Sequence, residues 1–183
     1  MNKQFSELSS FSADVHNIVD GQETTDTLFY KFRSKYKLVN KDGGWSLFDG
    51  LGIFLHYDKE RLGIIKIDTN KLSENEKIKF YGKIPPFPGI FLSKMLRKNI
   101  NFKGIEMDEG RELSHFEASE GYRGSLNFWV DKKTGILMKY IDSNGTKWSL
   151  SNLRLNAEIS DEELFYLPAD NIKIIDITET FKN

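Results

Sequence analysis

Apolar and polar residues alternate along most of this chain, which is the pattern of half-buried β-strands. The clearest run, Ser125 to Val130, sets Leu126, Phe128 and Val130 against Asn127 and Trp129. Turn signals separate such runs, and Asp49-Gly50 between two apolar segments is typical of a β-hairpin. The pattern predicts about ten or eleven strands, most of them joined in series as antiparallel hairpins.

The middle of the chain interrupts this alternation. Residues 72–80 are polar with weak helical spacing, and Pro85-Pro86-Phe87-Pro88 reads as a rigid connector. Phe91, Leu92, Met95 and Leu96 then follow at helical spacing, which predicts a short amphipathic helix. Near the C-terminus, Ser160 before three acidic residues is a helix N-cap signal. The order of strands, helix and strands predicts a mainly β (α+β) chain, with a helix covering one face of the sheet.

Composition fits one globular domain over residues 1–183. Aromatic side chains are abundant, with 14 Phe, 7 Tyr and 3 Trp, and they bury large areas on strands. The formal net charge of -1 argues against a nucleic-acid footprint. There is no cysteine, which excludes disulfides and thiolate metal sites. We see no signal peptide and no apolar run long enough to span a bilayer.

Catalytic and metal chemistry find little support in the residue pattern. His16, His56 and His115 are far apart in sequence, and we expect none of them to bind a metal. The acidic stretch over residues 106–120 would suit a paired-carboxylate hydrolase, but a solvated strand face is the favoured interpretation. No glycine-rich phosphate signature precedes a helix. We therefore expect no enzyme, no cofactor and no metal.

Several short segments together resemble the outer-membrane lipoprotein carrier family and its relatives, the LolA-like superfamily. In the C-terminal half they are Leu126–Asp131, the Lys132–Lys139 turn and strand, Asp142–Thr146, and a terminal segment from Ile159 to Pro168. In the N-terminal half Ser10–Val15, Leu28–Arg33 and Ser46–Gly50 are similar to early family strands, more loosely. The resemblance covers residues 10 to about 170. It departs from the carriers at Arg33, which Ser34 follows where carriers typically have proline after an inward-pointing arginine.

The resemblance implies a curved antiparallel half-barrel with short helices on its concave face and an apolar cavity between them. It also implies a location outside the cytoplasm, in the periplasm or at the cell surface, and partners that are lipids or lipidated proteins. On this reading, a concave face would oppose the 87–96 segment, with Arg33 as a polar gate. The expected ligand-binding residues are Leu28, Tyr30, Phe32, Phe87, Phe91, Met95, Leu126, Phe128 and Val130.

Three hypotheses follow from these patterns. The first is a non-catalytic carrier or chaperone that shields a lipid, a lipoprotein acyl chain or another amphiphile. The second is a regulatory domain of the cell envelope that uses the same fold to sense a lipid or to bind a peptide of a partner protein. The third is an enzyme built on the acidic stretch, which requires Glu112 or Glu117 to converge with a histidine in a cleft.

Overall fold

The computed structural model describes residues 8–31, 35–81, 100–121, 124–165 and 172–182. These residues form twelve strands and two short α-helices. The strands are β1 (Ser10–Val19), β2 (Gln22–Lys31), β3 (Lys35–Val39), β4 (Trp45–Asp49), β5 (Ile53–Asp58), β6 (Gly63–Asp68), β7 (Ile100–Asp108), β8 (Arg111–Gly121), β9 (Gly124–Asp131), β10 (Leu137–Asp142), β11 (Lys147–Leu155) and β12 (Lys173–Asp176). The helices are α1 (Glu74–Tyr81) and α2 (Asp161–Phe165), and 3₁₀ turns occupy Thr69–Lys71 and Thr178–Phe181.

All twelve strands belong to one sheet with the order β12-β6-β5-β4-β3-β2-β1-β11-β10-β9-β8-β7. The registered pairs are antiparallel except that β12 runs parallel to β6. The predicted fold class, mainly β with an antiparallel sheet and few helices, is confirmed. The strand count exceeds the expected ten or eleven, and the last strand joins as a parallel neighbour.

The chain divides into two compact units. The described part of unit 1 comprises residues 8–9, 13–25, 100–121 and 124–153, and that of unit 2 comprises residues 10–12, 26–31, 35–81, 154–165 and 172–182. The assignment of residues 1–183 to a single LolA-like domain stays a prediction.

In unit 2, both faces of the β2–β6 meander carry apolar side chains. On one face, Trp45, Leu47 and Ile64 form a buried cluster. On the other, Tyr36 stacks on Phe48 with ring centroids 5.8 Å apart, and Phe54 lies directly opposite Phe48 in the strand register. Helix α1 and the C-terminal 3₁₀ turn cover this second face. Phe80 of α1 meets the Phe54 ring edge-on at 5.2 Å, and Phe181 packs on Phe80 at 5.6 Å.

Reciprocal caps begin both α-helices. The Ser160 backbone N–H donates to the Glu163 carboxylate at 2.8 Å, and the Glu163 N–H donates to the Ser160 hydroxyl at 3.0 Å. Ser73 and Glu76 make the same pair of bonds at the start of α1. The N-cap predicted at Ser160 is confirmed. The amphipathic helix predicted from Phe91 onward lies outside the described residues.

Aspartate side chains organise the hairpin turns in both units. Oδ1 of Asp131 accepts bonds from the backbone of Lys133 at 3.0 Å and from the backbone and hydroxyl of Thr134 at 2.7 and 2.9 Å. In unit 2, Oδ1 of Asp49 accepts from three successive backbone N–H groups at 2.7 to 2.9 Å. These bonds satisfy turn amides that no strand partner reaches.

Candidate functional site

A row of aromatic side chains crosses all five strands from β7 to β11 in unit 1. The strand register sets its members directly opposite one another on one face of the sheet. We call them the aromatic row: Phe102, Phe116, Phe128, Tyr140 and Trp148. Neighbouring rings contact along most of the row, with centroids 5.5 Å apart for Phe102–Phe116, 5.3 Å for Phe116–Phe128 and 6.1 Å for Tyr140–Trp148.

Burial differs greatly between the two ends of the aromatic row. Trp148 is completely buried, Tyr140 and Phe128 are buried, Phe116 is half-buried, and Phe102 is 59% exposed. One apolar surface thus begins as core at β11 and ends in solvent at β7. Aromatic rings with a large exposed area on a continuous apolar surface are characteristic of binding sites.

Strand β7 widens the exposed end of this surface. Four of its large apolar side chains are exposed, and its register with β8 sets them on the face of the aromatic row. We call them the edge stripe: Ile100, Phe102, Ile105 and Met107. A β-bulge between Phe102 and Gly104 keeps all four on one face, because it absorbs Lys103 as an extra residue. The bulge requires glycine, since Gly104 has φ of +144°.

The predicted ligand-binding residues divide between the two units. In unit 1, Leu126, Phe128 and Val130 share the face of the aromatic row, with Leu126 and Phe128 buried and Val130 half-buried. In unit 2, Leu28 is completely buried, and the Tyr30 ring stacks on Phe11 at 4.8 Å. Four further residues predicted to bind ligand, together with the predicted gate Arg33, lie outside the described residues: Phe32, Phe87, Phe91 and Met95. Ligand contact by all of these residues stays a prediction.

The edge stripe is the part of the surface that sequence reasoning missed. The spacing along the edge stripe is two residues, then three, then two, at positions 100, 102, 105 and 107. A single bulge residue in a strand produces this spacing. The alternation therefore looked loose in the sequence. A search for broken period-two patterns on a strand beside a glycine would have found it.

The opposite face of the same strands carries a compact polar cluster. Its central side chain is Trp129. The His115 ring stacks on the Trp129 ring with centroids 4.2 Å apart, and Nζ of Lys139 lies 4.8 Å from the Trp129 ring centroid. Glu106 accepts a bond from the indole Nε1–H at 2.9 Å and pairs with Nδ1 of His115 at 2.9 Å. This cluster attaches β7 to β8 and β9 on the face away from the edge stripe.

The arrangement required for an enzyme on the acidic stretch is not found among the described residues. Glu117 pairs with Lys103 at 2.9 Å and Glu112 with Lys132 at 3.0 Å, so each of the two acids that this hypothesis requires pairs with a lysine. His16 hydrogen-bonds the hydroxyls of Thr25 and Ser151. Within the described ranges, no three histidine or acidic side chains converge as metal ligands.

Charged side chains line two pockets in the described part of the chain. In unit 1, a pocket of about 700 Å³ is formed by the β7–β8 and β9–β10 turns, including Arg111, Glu112 and Lys132. In unit 2, a pocket of about 420 Å³ beside α2 contains Lys37, whose Nζ donates to the Glu163 carbonyl at 2.8 Å. Burial lowers the pKa of Lys37, although Glu163 opposes the shift. Because charged side chains line both pockets, neither is a suitable binding site for an acyl chain.

The fold and this face together define a mainly β protein with an apolar surface that extends from its core into solvent. In comparison with solved structures, the chain is similar to an uncharacterised conserved protein of Thermus thermophilus, with a TM-score of 0.65 and 6% identity over 93% of this chain and 91% of the other. It is also similar to MucB, with a TM-score of 0.56 and 14% identity over 88% of this chain and 59% of MucB. MucB has also been solved in complex with MucA from Pseudomonas aeruginosa.

A third similar structure is PNGF-II, with a TM-score of 0.51 and 11% identity over 94% of this chain. The chain spans 32% of PNGF-II and a little over half of MucB. No family model and no curated protein sequence matches the chain. MucB has a LolA-like fold, so the resemblance to that superfamily is confirmed at the level of the fold. No helix in the described part of the chain has the length and apolar character to span a bilayer.

Proposed function

We propose that this protein binds the apolar part of a lipid, a lipoprotein acyl chain or another amphiphile on the face of the aromatic row, without catalysis. The observation that carries the proposal is the continuity of that face from buried Trp148 to exposed Phe102. A surface of this kind gives an acyl chain apolar contact along its length, worth about 0.8 kcal/mol for each methylene removed from water.

A buried donor gives the proposal a chemical refinement. The indole Nε1 of Trp148 has no hydrogen-bond partner among the described residues, although the side chain is completely buried. Such a group destabilises a fold by about 1–3 kcal/mol. An ester or amide carbonyl of an amphiphile would relieve this cost if it reached the buried end of the row. We therefore favour acylated ligands over plain hydrocarbons.

The first test measures uptake of a fluorescent fatty acid by the full chain after lipid removal. Ile105→Glu introduces a charge at a 50% exposed position of the edge stripe, and Ile174→Glu makes the same change at a 55% exposed position of β12. We expect Ile105→Glu to weaken binding at least tenfold and Ile174→Glu to leave it unchanged. Native mass spectrometry of the untreated protein should also show a bound lipid.

The proposal fails if the lipid-free protein takes up no fatty acid, or if the two glutamate variants weaken uptake equally. The sequence predicts that Phe87, Phe91 and Met95 contact the ligand, and the same assay tests this prediction. Phe91→Asp should abolish binding while the circular dichroism of the sheet persists. Unfolding of this variant would assign Phe91 to the core instead.

A second candidate function is a regulatory domain that binds a peptide of an envelope protein, and the likeness to MucB, solved with MucA, favours it. We place both functions outside the cytoplasm, in the periplasm or at the cell surface, as the LolA-like resemblance implies. A pull-down with the product of a neighbouring gene separates them. Peptide capture that persists in lipid-free protein and is unaffected by added fatty acid would favour regulation over carriage.

A further inference from the structure

Strand β7 is a long, exposed edge strand. It stands at one end of the strand order and pairs with β8, and among the described strands it has no partner on its other side. It has nine residues, whereas β12 at the opposite end has four. An exposed edge of this length with apolar side chains pairs readily with another strand unless something protects it.

The edge stripe is symmetric about the bulge. Ile100 and Met107 are equally far in sequence from the midpoint between Lys103 and Gly104. Phe102 and Ile105 are also equally far from it. A two-fold axis between Lys103 and Gly104 would therefore bring apolar side chains of one copy opposite apolar side chains of the other. The same residues in an antiparallel pair form an isologous interface, in which each copy presents the same surface.

We propose that two copies of this chain pair through β7 in antiparallel orientation, with the two-fold axis between Lys103 and Gly104. In this register Ile100 faces Met107 of the second copy, and Phe102 faces Ile105 of the second copy. Side chains directly opposite in an antiparallel pair stand about 4.5–5.5 Å apart at Cβ, close enough for apolar contact. The two edge stripes then form one apolar surface of eight side chains on the face of the aromatic row.

The charges of β7 fit the same register. On the polar face, Asn101 lies opposite Glu106 of the second copy, and no two like charges stand directly opposite. Lys103 is diagonal to Glu106 of the second copy, within reach of a long side chain. A register shifted by one residue would instead place Phe102 against Glu106 and Ile100 against Asp108. Burial of a carboxylate against an apolar side chain is costly, so the charges disfavour this one-residue shift.

Cysteine cross-linking tests this register without background, because the chain has no cysteine of its own. Mixing Phe102→Cys protein with Ile105→Cys protein under mild oxidation should yield a disulfide-linked heterodimer, since opposite Cα atoms in an antiparallel pair are about 4.5–5.5 Å apart. Each variant alone should link poorly, because its two cysteines would be three residues, or ~10 Å, out of register. A mixture of Ile100→Cys with Phe102→Cys is the matched control, at about five residues, or ~17 Å, out of register.

Sedimentation of the lipid-free protein tests the dimer itself. We expect a monomer–dimer equilibrium that Ile105→Glu shifts at least tenfold toward monomer and Ile174→Glu leaves unchanged. A wild-type protein that stays monomeric at ~100 μM overturns the proposal. So does a dimer that cross-links no better through the 102 and 105 pair than through the control pair. Because no amphiphile is present, failure here leaves the proposed lipid binding untouched.

Discussion

Unit 2 and unit 1 each contain aromatic side chains aligned across neighbouring strands, but they differ in how the last ring of the alignment is covered. In unit 2, Phe54 is covered by Phe80, which Phe181 covers in turn, and Phe80 is only 2% exposed. In unit 1, the aromatic row ends at Phe102, which is 59% exposed. The same residue types therefore make core in one unit and accessible surface in the other. Local cover, and not composition, separates a core row from a candidate binding row.

Truncating the covering ring of unit 2 should have the largest effect on stability. Phe80→Ala removes both edge-on ring contacts and leaves a cavity, so we expect a loss of about 3–5 kcal/mol in the free energy of unfolding. Phe102→Ala in the aromatic row should change that free energy by at most about 0.5 kcal/mol, since the ring is largely exposed already.

Urea unfolding of both variants measures this contrast between the two units. If Phe102→Ala proves as costly as Phe80→Ala, the exposed end of the aromatic row is core under solution conditions, and the proposed binding face loses its main support.

Substitutions in the hairpin turns should also lower the free energy of unfolding by different amounts in the two units. We expect this difference to be smaller than that between Phe80→Ala and Phe102→Ala. Asp131 is buried and also pairs with Arg111 at 3.4 Å, so Asp131→Ala leaves three donors and a cation without their acceptor. We expect a loss of about 2–3 kcal/mol for Asp131→Ala and about 1–2 kcal/mol for Asp49→Ala at the half-buried turn of unit 2.

Thermal unfolding compares these two alanine variants. Asp131→Asn and Asp49→Asn are the controls, because asparagine keeps one oxygen acceptor. Asparagine variants as unstable as the alanine variants would assign the effect to charge and not to the turn bonds.

Acid should lower the stability of unit 2 through protonation of His56. Of the three effects on stability predicted here, we expect this one to be the smallest. Burial lowers the pKa of His56 below its ordinary value of 6.5, although Asp58 and Asp42 oppose the shift. Between the lowered pKa and 6.5 the unfolded chain binds more protons than the folded one, so stability is full above pH 6.5 and falls as the pH drops through that window.

His56→Gln removes this titration while a polar group remains beside Ser46, whose hydroxyl lies 3.0 Å from Nδ1 of His56. Urea midpoints from pH 8 to pH 5 should fall more steeply for the wild type than for the variant. Parallel curves, or an imidazole pKa above 6.5 by NMR, would contradict the expected direction.

The strands could be read from the sequence because alternation and turn residues are local signals. Leu126, Phe128 and Val130 share a face, as period-two spacing implies. Cross-strand relationships could not be read in this way. Alternation assigns Trp129 to the polar face of its strand, yet it is buried, because His115 and Lys139 cover its ring. The parallel entry of β12 beside β6 likewise depends on pairing between segments far apart in sequence.

The bulge of β7 also determines which changes of chain length this strand can tolerate. Deletion of Lys103 would leave a regular strand with every remaining side chain on its present face, because that residue is the one the bulge absorbs. A one-residue deletion that left the bulge in place would exchange the two faces for one half of the strand and turn carboxylates toward the apolar side. Among related sequences, we therefore expect a one-residue gap in β7 to fall at the bulge.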